Sequence, residues 1–282
     1  MNILTFDIEE WYHLLELRST SRPEQWVKFE PRLEANTDRI LSLLDETGVK
    51  ATFFAMGWVA NQSPGVIRKI ADCGHEVGIH SWDHALVSKQ TRVEFREDIR
   101  RASHSIADIT GVRSKMYRAP GFSIVKKNLW ALEELAEQGF IADASIFPAS
   151  RSHGGFPDFP VDKPCIVESG GTRIYEFPLN TTRYFGYKTV FSGGGYFRLM
   201  PYSAIKRLTR RSGYVMSYFH PRDFDPGQKL LPGLTPLRLF KSYYGLNNSI
   251  DKLKRWLTDF EFIDIDEAIR RTDWSKAEII RI

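Results

Sequence analysis

Short apolar runs alternate with amphipathic stretches along the first half of the chain. The first run, Asn2–Phe6, is typical of a strand buried on both faces, and Ala51–Met56 and His75–Ile79 are predicted as further strands. Apolar residues at helical spacing, followed by a glycine, predict helices over four segments: 36–46, 64–72, 92–109 and 126–138. This alternation predicts an α/β fold with a mostly parallel sheet.

The pattern changes in the second half of the chain. Two strand-like segments, 165–169 and 173–178, are joined by two glycines and predict a β-hairpin. The irregular stretch 221–248 is rich in proline and glycine, which indicates an active-site loop or lid. We expect one domain over 1–282, with 222–282 as a C-terminal extension packed on it. The other predicted elements are one strand and three helices, over 214–219, 202–211, 249–258 and 266–271.

Composition excludes several classes of protein. The chain has 282 residues, of which 42% are hydrophobic and 26% charged, so it is neither disordered nor collagen-like. Its 39 Lys and Arg against 35 Asp and Glu give a net charge of +4. That charge is too small to indicate a nucleic-acid partner, and none is expected.

The chain shows no pattern of a membrane or export segment. Its longest uncharged run, Ala51–Ile67, includes polar residues and a proline, so a transmembrane segment is not expected. Acidic residues at Asp7 and Glu9 occupy positions where a signal peptide would be apolar. Two cysteines, Cys73 and Cys165, suit a reducing compartment. We therefore expect a cytoplasmic protein.

The strongest chemical signal is the run His80-Ser-Trp-Asp-His84. Histidines four apart on a helical turn share one face, about 5–6 Å apart at Cβ, which suits two ligands of one metal. The alternative is a pair of surface or packing histidines. The position at the carboxyl end of a predicted strand favours ligands, because α/β proteins place their sites there.

Carboxylates follow the first predicted strand in the run Asp7-Ile8-Glu9. Residues two apart on a strand point to the same face, so Asp7 and Glu9 are expected to emerge together. Two histidines and a carboxylate make a three-ligand catalytic site with an open position for water. A solvated strand end is the alternative for this pair taken alone.

Further polar residues stand at other predicted strand ends. Arg118, in Tyr117-Arg-Ala-Pro-Gly121, is suited to hold a carboxylate, and Gly121 allows close backbone approach to a substrate. His220 ends an apolar strand, and Asp143 ends another. The structural alternative for Tyr117–Gly121 is a plain turn, and the alternative for His220 is a packing histidine. Their joint order along the chain favours a shared site.

Five runs in this order resemble the motifs of the NodB-homology polysaccharide deacetylases, carbohydrate esterase family 4. They cover most of the chain, from Thr5 to Pro221. The run Gly194–Arg198 and the C-terminal helices are similar to the exopolysaccharide-locus, exosortase-associated branch. The resemblance implies a deformed (β/α)7-type barrel, here with the β-hairpin as an insertion and with C-terminal helices. The matching runs are Thr5–Glu9, His80–His84, Arg118–Gly121, Asp143–Ser145 and Tyr218–Pro221.

The resemblance also implies a divalent metal, usually Zn²⁺, and hydrolysis of the N-acetyl groups of amino sugars. Carried onto this chain, His80 and His84 are metal ligands, Asp7 is the general base and Arg118 orients it. His220 is the general acid, and Asp143 is the residue that adjusts it. Gly121, through its backbone N–H, and the neighbouring Pro120 form the site that binds the substrate oxyanion.

The first motif departs from the family pattern. Many relatives have adjacent aspartates there, the second being a metal ligand, whereas this chain has Ile8. Glu9 replaces it as the expected ligand because it returns to the same strand face. Glu10 is the alternative ligand, and it ranks second because its side chain is expected to point away from the metal.

We expect a metal-dependent N-deacetylase of a bacterial polysaccharide or its lipid-linked precursor. The alternatives are a deformylase or deacetylase of an O-antigen or nucleotide-linked sugar, and a non-catalytic glycan-binding relative. Residues 201–255 hold eleven Lys and Arg against three Asp, a net charge of +8, while the rest of the chain carries −4. This concentration favours an anionic substrate or a peripheral contact with the inner face of a membrane, and a solvated helix face is the alternative.

Overall fold

The fold was analysed in a computed structural model that describes residues 1–15, 17–184 and 187–282. Its strands are β1 (Asn2–Ile3), β2 (Thr5–Ile8), β3 (Thr52–Ala55), β4 (Glu76–Ile79), β5 (Met116–Tyr117), β6 (Ala142–Asp143), β7 (Cys165–Ser169), β8 (Thr172–Glu176), β9 (Thr182–Tyr184), β10 (Tyr187–Thr189), β11 (Val215–Met216) and β12 (Glu278–Arg281). Its α-helices are α1 (Pro23–Trp26), α2 (Leu33–Thr47), α3 (Gly57–Gln62), α4 (Pro64–Asp72), α5 (Arg92–Thr110), α6 (Trp130–Glu137), α7 (Gly194–Leu199), α8 (Tyr202–Arg211), α9 (Pro236–Tyr243), α10 (Ser249–Asp259) and α11 (Ile265–Arg271).

The main sheet has the strand order β12-β7-β8-β6-β5-β4-β3-β2. All neighbours are parallel except β7 and β8, which form the antiparallel hairpin predicted from the sequence. α-Helices connect β2 to β3, β3 to β4, β4 to β5 and β5 to β6, as parallel neighbours usually require. The α/β class is therefore confirmed.

A seventh parallel segment, which contains β11 and Phe219, lies against the free edge of β2. β1 pairs with β11, and single bridges join Phe6 to Phe219 and Ile3 to Ile263. Together with β2, β3, β4, β5, β6 and β8, this segment supplies the strand number of a (β/α)7-type barrel. In the described part of the chain the ring is not continuous, and Asn180 bridges the gap by accepting a hydrogen bond from the Met216 amide.

Most predicted helices are present, and two differences have local causes. The helix expected over 126–138 begins as a 3-10 turn and becomes α-helical only at α6. The stretch 221–248 is not wholly irregular, because α9 lies within it. Thr235 caps this helix by accepting from the Arg238 amide, and Pro236 occupies its first turn. A proline that predicted a loop therefore begins a helix.

The core joins the two halves of the chain. The larger hydrophobic cluster takes side chains from β2, β3 and α5 and also from α8 and α10. Trp256 on α10 is fully buried against Phe197 and Phe219, and its indole donates to Thr209. Among the described residues, no helix is long and apolar enough to cross a bilayer.

Candidate metal centre and active site

Most of the predicted site residues line one cavity at the carboxyl ends of the parallel strands, namely Asp7, Glu9, His80, His84, Gly121 and His220. The cavity has a volume of about 430 Å³. β2 supplies Asp7, the backbone just beyond it supplies Glu9, and the segment after β4 supplies His80 and His84. His220 reaches the same cavity from the strand segment after β11. Residues spaced over more than two hundred positions are thus brought together by parallel strand order.

Glu9, His80 and His84 form a compact group of candidate metal ligands. The Glu9 Oε1 lies 3.0 Å from His80 Nε2 and 2.9 Å from His84 Nε2. All three side chains are buried, and their donor atoms lie within 4.8 Å of one another. Burial opposes ionisation of Glu9, but the imidazoles of His84, His220 and His80 outweigh it and hold its pKa well below its usual range.

The hydrogen-bond chemistry of this group fits a bound cation. His80 Nδ1 lies 2.7 Å from the carbonyl oxygen of Arg118, which can only accept, so a neutral His80 carries its proton on Nδ1. Its Nε2 then presents a lone pair to the Glu9 carboxylate, which also only accepts. Two acceptors in contact need a positive charge between them, and a ligating histidine commonly donates its other N–H to a backbone carbonyl.

The two histidines do not lie on a helical turn as expected. Residues 80–84 form a bend, with Ser81 at φ 60° and His84 at φ 64°, both in the left-handed region. Ser81 stabilises the bend because its hydroxyl accepts from the His84 amide at 2.9 Å. This conformation is costly for non-glycine residues, and such strain concentrates at functional sites. The imidazole rings still approach to 5.5 Å between centroids.

Glu10, the second choice for the metal, faces another part of the protein. Its Oε1 accepts from the amides of Arg32 and Leu33, each at 3.0 Å, at the N-terminus of α2. A carboxylate there satisfies amides that have no partner within the helix. Ile8 is fully buried in the core, so the position of the missing aspartate is used for packing.

Asp7 and Arg118 form a buried ion pair beside the metal group. Arg118 Nη1 donates to Asp7 Oδ1 at 2.9 Å and to Thr5 Oγ1 at 2.6 Å, and its Nε donates to the Ala144 carbonyl at 3.1 Å. The Arg118 side chain is fully buried. It therefore fixes the orientation of Asp7 and leaves the second carboxylate oxygen directed toward His220, 3.9 Å away.

His220 is held by a carboxylate that sequence reasoning missed. Its Nδ1 lies 3.2 Å from Asp223 Oδ2, and Asp223 Oδ1 lies 3.2 Å from Arg198 Nε. Burial alone would lower the pKa of His220, but Glu9, Asp223 and Asp7 raise it to about 9. His220 and Arg198 lower the pKa of Asp223 to about 2 despite its burial. A carboxylate three residues after the histidine, across a proline turn, was the available sequence signal.

Asp143 lies elsewhere than its expected role requires. Its carboxylate accepts from the Ser145 hydroxyl at 2.6 Å and amide at 2.9 Å, and it also contacts Glu176. Burial raises the pKa of Asp143, and burial together with the Asp143 charge raises that of Glu176. The carboxylate in contact with His220 is Asp223, because the short turn after the strand returns it to the imidazole. Asp143 instead supports Ser145, whose hydroxyl accepts from the Ala119 amide at 2.7 Å.

Gly121 lies on the cavity wall, and Pro120 opens the 3-10 turn that carries it. Gly121 adopts φ 60°, and a Cβ there would lie 2.9 Å from Leu15 Cδ1. Both observations explain why this turn uses glycine. The oxyanion role of Gly121 and Pro120 stays a prediction.

His13, which sequence reasoning also missed, lines the cavity next to His84. Its ring centroid lies 6.3 Å from that of His84 and 4.1 Å from that of Trp26. Burial and the neighbouring His84 lower its pKa to about 3, so it is neutral. Its Nδ1 accepts from the Glu10 amide, which leaves the proton on Nε2.

Comparison with known families divides the chain into two parts. Residues 17–139 match the model of the polysaccharide deacetylase family, and residues 144–270 match that of a domain of unknown function, DUF3473. Each match covers less than half of the chain, and the first makes residues 17–139 similar to the polysaccharide deacetylase family. The exopolysaccharide branch has no counterpart among these matches.

Curated relatives match the first part of the chain. Over 91 residues it is 35% identical to the peptidoglycan-N-acetylglucosamine deacetylase PgdA of Listeria monocytogenes, covering 32% of this chain and 20% of the relative. Over 99 residues it is 33% identical to the peptidoglycan-N-acetylglucosamine deacetylase of Bacillus cereus, covering 35% and 36%. The matches span a fifth to about a third of these relatives.

Solved structures share the fold over the whole chain. A "putative polysaccharide deacetylase" from Mycobacterium smegmatis aligns with a TM-score of 0.64 and 18% identity, covering 100% of this chain and 92% of that one. BA3943 of Bacillus anthracis, a CE4 family pseudoenzyme, aligns with a TM-score of 0.51 and 16% identity, covering 100% and 69%. These likenesses confirm the α/β fold with its parallel sheet.

Proposed function

We propose that this protein is a metal-dependent amide hydrolase that removes N-acetyl groups from amino sugars of a glycan. The observation that carries the proposal is the convergence of two acceptor nitrogens and a carboxylate beside a separate acid and base. Glu9, His80 and His84 would hold the metal, with Zn²⁺ suited to this nitrogen and oxygen donor set. The family match of residues 17–139 supports the same reaction class.

A bound divalent metal supplies Lewis-acid polarisation of the acetyl carbonyl and lowers the pKa of water. Asp7, fixed by Arg118, accepts the proton of the attacking water through its free Oδ2. His220, kept protonated by Asp223, donates a proton to the leaving amine. His220 Nε2 and Asp7 Oδ2 lie 3.9 Å apart and come from distant parts of the chain. Asp7 can therefore accept the proton of the water while His220 donates a different proton to the amine.

The proposal also names the glycan that carries the acetyl group. We favour an exopolysaccharide or its lipid-linked precursor at the inner face of a membrane, because the basic residues Arg222, Arg238 and Lys241 of the 201–255 region line the cavity. An N-formyl group or an O-antigen or nucleotide-linked sugar keeps the same chemistry. The single-domain prediction for 1–282 stands as part of this proposal, and the core shared by both halves supports it.

Peripheral membrane contact has support on α9. Leu237 and Phe240 are 64% and 50% exposed, and Tyr244 just after the helix is 50% exposed and packs on Phe240. Lys241 and Arg238 lie on the same helix. An apolar face bordered by cations is typical of segments that rest in a lipid interface. Sedimentation with anionic vesicles at low and physiological salt tests this contact, and indifference to both vesicle charge and salt would contradict it.

Acetate release tests the proposed activity. The zinc-loaded chain is incubated with defined N-acetylated oligosaccharides, and acetate and formate are measured separately. We expect acetate, sensitive to chelation, and a loss of at least about a hundredfold in His220→Ala because general acid catalysis contributes about 10²–10⁴-fold. His104→Ala, an exposed histidine on α5, is the matched control.

The same experiment distinguishes the proposed activity from the rival function, a non-catalytic glycan-binding relative. Glycan binding with retained metal and no acetate or formate from any substrate would support that rival. Release that is equal in His220→Ala and wild type would remove the acid role from the proposal.

A further inference from the structure

The part of the cavity wall that comes from the second half of the chain is strongly cationic. Its described lining includes one acidic residue on that side, Asp223, which is already shared by His220 and Arg198. The cations of this wall come from the second half of the chain: Arg151, Arg198, Arg222, Arg238 and Lys241. Positive charge therefore exceeds negative charge beside the general acid.

Two buried arginines of this wall differ in how they are satisfied. Arg198 is anchored by protein oxygens, since its Nη1 donates to the Tyr244 carbonyl at 2.7 Å and its Nη2 to the Lys241 carbonyl at 3.0 Å. Arg222 is 8% exposed, yet among the described residues its Nη2 has no hydrogen-bond partner. Arg198 therefore has a structural role in the wall, whereas Arg222 Nη2 is available to donate a hydrogen bond to a ligand.

An unsatisfied buried guanidinium is costly. A buried donor without a hydrogen-bond partner carries an uncompensated desolvation penalty, which is larger when the group is charged. Asp223 is a favourable charged neighbour of Arg222 and the Tyr243 ring lies 5.9 Å away, but neither accepts a hydrogen bond from Nη2, and Arg198 and Arg238 add positive charge. Such an arrangement persists where a ligand supplies the missing acceptor.

We propose that Arg222, with Lys241 on the cavity rim, binds an oxyanion carried by the substrate next to the sugar that is deacetylated. The inference rests on the proposed function and names its substrate class. A planar guanidinium matches carboxylate and phosphate oxygens with two parallel hydrogen bonds. A uronic acid residue supplies the first and a phosphate-linked carrier the second, and both place the oxyanion one unit from the acetamido group.

The position of Arg222 explains why this subsite would align the substrate. Arg222 follows His220 by two residues on the same 3-10 turn, and Asp223 of that turn holds the imidazole. An oxyanion bound to the turn therefore has a fixed direction relative to the proton donor. Neutral glycans lack this contact, so the subsite selects for charge as well as position.

Calorimetric titration of the zinc-loaded chain at low salt tests the inference without any turnover. Glucuronate, glucose 1-phosphate and glucose are the probes, because they place a carboxylate, a phosphate or no charge on one sugar. We expect one or both anions to bind at least about tenfold more tightly than glucose, as a charged hydrogen bond predicts. The tighter anion identifies the source, a uronic acid polymer or a phosphate-linked carrier.

Arg222→Met should weaken anion binding about tenfold, and Arg222→Lys should lose less because it keeps the charge without the fork. Arg211→Met, on the exposed end of α8, is the matched control and should bind as wild type does. Lys241→Gln on the rim gives a second readout if Arg222→Met fails to fold.

Equal binding of all three sugars, or equal anion binding in Arg222→Met, Lys241→Gln and wild type, would overturn the inference. Deacetylation is measured separately. Anion binding without acetate release would contradict the proposed function alone, and acetate release without anion preference would contradict this subsite alone.

Discussion

The two walls of the cavity differ in origin and in chemistry. The wall from the first half of the chain presents acceptors, Asp7, Glu9 and two imidazole nitrogens. The wall from the second half presents donors, His220 and the arginines around Arg222. The first set suits a cation and an attacking water, whereas the second suits a leaving group and an anion. The cavity therefore divides reaction and substrate selection between the two halves.

Neither half contains a complete site. The deacetylase match ends at residue 139, and both His220 and its partner Asp223 lie in the part that matches DUF3473. His220 and Asp7, the proposed acid and base, are brought together by parallel pairing of β1 with β11 and by the bridge from Phe6 to Phe219. The second half thus completes the site as well as surrounding it.

The largest effect is expected from Glu9→Gln in the acceptor wall. Loss of the carboxylate removes one of three ligands and should reduce bound zinc to below stoichiometric levels, with activity falling about a thousandfold or more, since a catalytic metal contributes several kcal/mol. Metal content by mass spectrometry and acetate release measure the two effects.

Glu10→Gln is the control one residue along the chain. Its carboxylate accepts from the Arg32 and Leu33 amides, so we expect full metal content and a loss of about 1 kcal/mol in unfolding free energy. If Glu10→Gln lost the metal and Glu9→Gln kept it, Glu10 would be the ligand and the assignment of Glu9 would be wrong.

A smaller effect is expected from Asp223→Asn in the donor wall. Asp223 is among the carboxylates that raise the pKa of His220 to about 9 against the effect of burial. With His220 as the proposed proton donor, activity requires its protonated form and is expected to fall as pH rises through that pKa. The substitution should move the alkaline limb of the pH–rate profile to lower pH by about one unit, which reduces kcat about twofold at pH 8 and up to about tenfold at higher pH.

Asp225→Asn, two positions further, makes the same chemical change outside the site. Its carboxylate pairs with Arg32 at 2.5 Å and accepts from Asn36 at 3.0 Å, so the expected cost is about 1–3 kcal/mol of stability with an unmoved pH profile. An alkaline limb that stays in place in Asp223→Asn would show that Asp223 only supports the fold.

The acceptor wall was accessible from sequence because its residues lie in short runs. Asp7 and Glu9 follow one strand, and His80 and His84 follow another, so strand-end position alone brings them together. Even here the local geometry differed, because the bend at Ser81 replaces the expected helical turn. The same side chains still meet, since long side chains converge from several backbone shapes.

The donor wall was only partly accessible from sequence. The sequence predicts His220 and pairs it with Asp143, whereas the carboxylate hydrogen-bonded to its Nδ1 is that of Asp223. Arg222 was counted only as part of a basic region, because burial and an unsatisfied nitrogen depend on how α9 and the 3-10 turn pack. Contacts between side chains from distant segments leave no periodic pattern in the sequence.

The smallest effect concerns the contact between the two halves at Glu76. Glu76 on β4 accepts from Thr52 at 2.5 Å and lies near Asp264 and Asp266 at the start of α11. Burial, with those two acidic neighbours, raises its pKa to about 7. The folded protein therefore holds a proton that the unfolded chain releases, and stability should fall as pH rises from about 4.5 to about 7.

Glu76→Gln keeps a hydrogen-bond acceptor for Thr52 but has no proton to lose. We expect it to match wild type in urea unfolding at pH 4.5 and to exceed it at pH 8 by on the order of 1–2 kcal/mol. Glu24→Gln, an exposed residue of α1, should show no such pH-dependent difference. A gain that is the same at both pH values would mean that the substitution improves packing. Ionisation of Glu76 near Asp264 and Asp266 would then not lower the free energy of unfolding.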